Sequence, residues 1–121
     1  MGVWRSWILV LSIGAALAAC RNGPKAPGGE GLCWLRAADG TFSQIASDIA
    51  NVETCAARLE EVWLKDRKPI TGAYGGHLLA LDEAGIWFDL NGSRVRLLVG
   101  NQRDSIDRLI SDGEKPVVGQ P

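Results

Sequence analysis

The apolar positions of this chain follow two rhythms, one helical and one extended. From Phe42 through Ile45, Ile49, Val52, Ala56, Leu59 and Trp63 the spacing alternates between three and four, which places all of them on one stripe of a helix. Asp39-Gly40-Thr41 supplies a turn and a capping hydroxyl ahead of that stripe, and Pro69 stops it. Asn51 is able to restart a helix as an internal cap, so the pattern admits one unbroken helix or two with a kink. From Ile70 onward the period falls to two. Asn91-Gly92 is a strong hairpin signal, because both central residues of a type I′ turn need positive φ. It sets Leu90 opposite Ser93, Asp89 opposite Arg94, Phe88 opposite Val95, Trp87 opposite Arg96 and Ile86 opposite Leu97. One face then carries Ile86, Phe88, Leu90, Val95, Leu97 and Val99 as a core face.

A looser turn at Asp82-Glu83-Ala84-Gly85 adds His77–Leu81 as a third strand. Ile70–Tyr74 forms a fourth strand or an irregular edge, since Gly72, Gly75 and Gly76 weaken it. A short helix over Asp104–Ser111, with Ile106, Leu109 and Ile110 inward, closes the domain. The predicted class is α+β: one amphipathic helix, straight or kinked, on a three- to four-stranded antiparallel meander, followed by a short C-terminal helix.

The first residues belong to neither rhythm. Arg5 precedes an apolar run from Trp7 to Ala19 that stops at Cys20, where Arg-Asn-Gly-Pro follows. A bilayer span needs about 20 apolar residues, so the run reads as a cleavable export signal, with a retained anchor as the alternative. Met1-Gly2-Val3-Trp4-Arg5-Ser6 also fits the N-myristoylation pattern, but an export-type apolar run behind it argues against a cytosolic acyl acceptor. Leu17-Ala18-Ala19-Cys20 resembles the lipobox of bacterial lipoproteins. That resemblance implies a diacylglyceryl group on the Cys20 thiol, cleavage just before it, and a membrane held through lipid in the cell envelope. Arg21 in place of an aspartate implies, for a host with two membranes, the outer membrane facing the periplasm. The division expected is a cleaved signal over 1–19 and a lipidated cysteine with a flexible tether over 20–31. A small domain over 32–112 and a disordered tail over 113–121 follow.

Cysteine parity fits this division. The chain has 3 cysteines, an odd set; lipid on Cys20 leaves Cys33 and Cys55 as a pair in an oxidising compartment. Two buried free thiols are the alternative. Cys55 lies at the edge of the apolar stripe and reaches Cys33 if Leu32-Cys33-Trp34-Leu35 packs beneath the helix. Over the whole chain 13 Lys+Arg stand against 14 Asp+Glu, a net charge of −1 with no basic block, so nucleic acid is not expected as a partner.

Catalytic templates fail on count or spacing. A Ser-His-Asp arrangement needs a histidine base, and His77, the single histidine, reads as a structural residue near the core face. A zinc site needs three or four ligands, and both domain cysteines are better used in a bridge. Thr71-Gly72-Ala73-Tyr74-Gly75-Gly76 is glycine-rich but lacks the end of a P-loop and reads as a tightly approached strand. Glu60 with Glu61 and Asp82 with Glu83 are carboxylate neighbours, placed by the pattern on solvent-facing helix or turn positions rather than across a cleft. Asn91-Gly92-Ser93 matches a glycosylation sequon that the turn already explains. No catalytic residue, metal or cofactor is therefore assigned.

One surface stands out. Opposite the core face, Trp87 sits across from Arg96, with Asp89 and Arg94 diagonal to them, a composition common in interface hot spots. Trp87, Arg94 and Arg96 are the candidate partner-binding residues. The alternatives are a self-satisfied surface, with Arg96 stacked on Trp87 and Asp89 paired to Arg94, or a face covered by a terminal segment, since Leu78 and Leu98 also point that way. The function expected is a non-catalytic envelope lipoprotein binding a protein or cell-wall partner. A small envelope hydrolase or hydrolase inhibitor is the alternative, and a surface-coating protein a third reading. In outline, helix then three-stranded meander on a short tether is similar to the small accessory subunit of outer-membrane assembly machinery, a likeness of architecture that no motif residue carries.

Overall fold

Two strands precede the first helix, where the apolar spacing had suggested a helix from Phe42. The structure, a computed structural model, describes residues 25–119; the expected signal over 1–19 and Cys20 lie outside the described residues. The element order is β1 (Cys33–Arg36), β2 (Phe42–Ala46), α1 (Val52–Asp66), β3 (Ile70–Tyr74), β4 (His77–Asp82), β5 (Gly85–Leu90), β6 (Ser93–Leu97) and α2 (Gln102–Ser111). The class is α+β, but the strands form a 6-stranded antiparallel sheet in the order β2-β1-β3-β4-β5-β6 rather than a three- to four-stranded meander. With two strands ahead of the helix, the outline likeness to the assembly-machinery subunit is lost. Among the described residues no helix is long and apolar enough to cross a membrane.

The turn signal Asp39-Gly40-Thr41 is real, but it closes a hairpin. Gly40 takes φ 93°, Ala37 N–H donates to Thr41 O at 2.7 Å, and Asp39 Oδ1 accepts from the Thr41 N–H and hydroxyl at 3.0 and 2.7 Å. A residue pair such as Asp-Gly favours a hairpin turn as readily as it precedes a helix. Asp48, at φ 57°, then breaks the chain direction, and Asn51 starts the helix. Its Oδ1 accepts from Thr54 N–H at 2.9 Å. Ile45 and Ile49 thus leave the helical stripe: Ile49 is buried beneath the chain ahead of α1, while Ile45 is 37% exposed on edge strand β2. At the other end Arg67, at φ 55°, caps α1 by donating its N–H to Trp63 O.

Helix α1 lies over β1 to β4, and α2 packs on α1. Cys55, Ala56, Leu59 and Trp63 meet Leu79, Leu81 and Ile86 in one core that also takes Ile106 of α2. Each large aliphatic side chain removed from water here contributes about 1.5–3 kcal/mol. Cys33 of β1 and Cys55 in the first turn of α1 form a disulfide, with Cα atoms 5.4 Å apart. Strand β3 is not an edge: it pairs with β1 on one side and β4 on the other. Its Gly72 is required there, since a Cβ would lie 2.6 Å from Trp34 O and press into Leu59.

The core face is narrower than its alternation implies. Ile86, Phe88 and Leu97 are buried, but Leu90, Val95 and Val99 are 40%, 42% and 50% exposed. Leu109 of α2 is also exposed, while Ile106 is buried. Leu98 takes φ 50°, which breaks the strand alternation and turns its side chain into the core rather than onto the Trp87 face. The segment expected to fray after Gly113 runs back to α1. Asn51 Nδ2 donates to Val118 O at 2.7 Å, and Val118 N–H donates to Thr54 Oγ1 at 3.0 Å.

Candidate functional site

The β5–β6 hairpin builds the surface singled out by the sequence. Asn91 and Gly92 take φ 50° and 91°, and the register pairs Trp87 with Arg96, Asp89 with Arg94 and Phe88 with Val95, as the turn residues require. Phe88 therefore points to the core and Trp87 away from it. Trp87 is half-buried and Arg94 and Arg96 are exposed. Both guanidinium groups lie over the indole, with their carbons 5.4 Å (Arg94) and 5.8 Å (Arg96) from the ring centroid. Such stacking is worth roughly 0.5–1 kcal/mol at an exposed site and orders two otherwise flexible side chains.

Neighbouring turns complete the arrangement. Arg96 Nη2 donates to Ala84 O at 2.8 Å, and Asp82 Oδ1 accepts from the Ala84 and Gly85 N–H groups at 2.8 and 3.1 Å, which holds that carbonyl in place. Gly85 leaves the space this needs: a Cβ there would stand 3.1 Å from both Arg96 Nε and the edge of the Trp87 ring. Asp89 does not pair with Arg94. Its Oδ1 accepts from Gly92 N–H at 3.1 Å and so serves the hairpin turn. Among the described residues neither Arg94 nor Arg96 forms an ion pair. At the end of this face, Ala26 lines a recess with His77, Leu78 and Asp89.

The carboxylates read as solvent-facing divide. Glu60 is fully buried, and Arg103 grips it with both forks, Nε to Oε2 at 2.8 Å and Nη2 to Oε1 at 2.9 Å. Arg103 Nη1 donates to Asp82 O at 2.6 Å, and its guanidinium covers the Trp63 ring at 4.5 Å. Asp107 stands beside this pair with Oδ1 buried and without a hydrogen-bond partner. Burial and the neighbouring Glu60 carboxylate push its carboxyl up to about 7, against the pull of Arg103. With both Glu60 oxygens held by Arg103, the group locks α2 onto α1 and the β4–β5 turn. Sequence reasoning missed it, although Ala56, Glu60 and Trp63 share helical spacing. A charge inside an apolar stripe was the available signal.

His77 is half-buried and packs edge-on against Phe88, with ring centroids 5.7 Å apart, and does not meet the carboxylate group. Among the described residues no group of three or more His, Cys, Asp or Glu is placed to hold a metal ion. No protein family, curated protein or solved structure matches the chain.

Proposed function

We propose that this chain is a lipid-anchored, non-catalytic protein of the bacterial envelope whose domain binds a protein or cell-wall partner through the sheet face at Trp87, Arg94 and Arg96. The observation that carries the reading is the indole with two guanidinium groups over it that, among the described residues, have no acidic partner, on the sheet face opposite the core. An ordered aromatic flanked by arginines loses little side-chain entropy on binding, which is why such groups concentrate binding energy. The anchor rests on Leu17-Ala18-Ala19-Cys20 and on the bridge that uses the other two cysteines.

Crosslinking and pull-down from native membranes, with the wild-type chain and Trp87→Ala side by side, tests it. The variant is expected to weaken partner capture by about 2 kcal/mol or more while the thermal midpoint stays nearly unchanged, since Trp87 lies outside the core. Equal capture by both proteins overturns the reading.

A further inference from the structure

We propose that β6 is a docking edge for an extended segment of another protein that alternates acidic and apolar residues, added to the sheet as a seventh strand. This rests on the binding face proposed above and names the chemistry of its partner. Strand β6 ends the sheet, and Ser93 to Arg96 are all exposed, so its outward N–H and C=O groups are open to a new strand. Arg94 and Arg96 project from one side, about 7 Å apart by strand geometry. Val95 projects from the other, 42% exposed beside buried Leu97. An incoming strand with carboxylates at alternate positions meets both guanidinium groups, and its intervening apolar residue covers Val95.

Trp87 is the platform that fixes the spacing, since both guanidinium groups rest on its ring while, among the described residues, neither is ion-paired. The same charges exclude a second copy of this chain, because antiparallel self-pairing about Val95 sets arginine against arginine. The opposite edge differs. Strand β2 carries no charge, and its register with β1 shifts between Cys33 and Trp34, which leaves Ile45 without a pair. A bulge of that kind bends an edge away from pairing.

The test uses the full-length chain purified from membranes in detergent, and synthetic nine-residue peptides. One peptide alternates Glu and Val, a second has the same composition with the Glu residues contiguous, and a third replaces Glu by Lys. The alternating acidic peptide is expected to bind at least tenfold tighter than either control, more weakly at high salt, and to slow amide exchange at alternate residues of 93–97. Arg94→Glu with Arg96→Glu should reverse the preference toward the Lys peptide, and Arg94→Gln with Arg96→Gln should abolish it, both in a domain that still unfolds in one cooperative transition. Equal binding of the contiguous peptide, protection at β2 instead of β6, or a preference that survives either double variant overturns the proposal. If the peptides fail while Trp87→Ala still loses its partner, the strand proposal alone falls. If Trp87→Ala captures normally, the binding face falls with it.

Discussion

Asp107 shows how one residue ties stability to pH. Its carboxyl is raised from an ordinary 3.8 to about 7 in the folded protein, first by burial and then by the Glu60 carboxylate beside it. Between those values the folded chain holds a proton that the unfolded chain has released, so stability falls as pH rises through that window. The contribution is fully present below about pH 4 and is gone above about pH 7. Asp107→Asn removes the titration and keeps a donor toward Glu60. Thermal melts of both proteins from pH 4 to pH 8 are expected to show the variant gaining on the wild type as pH rises. A difference that does not change with pH refutes this account. At the same scale, Glu60 shows why the group was illegible: exposure of a helical carboxylate depends on whether another element brings it a cation, and Arg103 lies 43 residues away.

Among the elements, β3 is the most constrained by its neighbours. Leu59 of α1 and the backbone of β1 both close on Gly72, so a methyl group has nowhere to go. Gly72→Ala is expected to cost about 1–3 kcal/mol, the range for overpacking a tight contact, read as a lower urea midpoint at an unchanged slope. An unchanged midpoint would mean that α1 is free to shift outward. The same strand illustrates a limit of pattern reading, because its glycines suggested a weak edge whereas close approach at Gly72 puts it in the middle of the sheet. Residues 42–46 fail for a related reason. Their apolar spacing fits a helix, but a hairpin with β1 gives their backbone groups strand partners, and Asn51 rather than Thr41 holds the cap.

For the whole molecule, the Cys33–Cys55 bridge ties β1 to α1 across a separation of 22 residues. Its removal is expected to lower stability by about 3 kcal/mol in the chain-entropy view. Intact mass after alkylation should show both thiols blocked only in the reduced protein; blocking without reduction would rule the bridge out. The anchor is tested at the same scale. Cys20→Ala should abolish palmitate labelling and leave an uncleaved precursor, and unchanged labelling would refute the lipidated form.

What the sequence determined by itself was local. The Asn91-Gly92 turn set the β5–β6 register residue by residue, because a two-residue loop leaves the flanking strands one alignment. The same alternation put Trp87 and Arg96 together on the face away from the core, and cysteine parity paired Cys33 with Cys55. Only the tertiary structure decided that β1 and β2 join the sheet, that β3 is central, that Arg103 neutralises Glu60, and that Leu98 turns inward. Each of these depends on partners distant in the chain. Burial of one face against α1 selects among backbone conformations that neighbouring residues leave nearly equal.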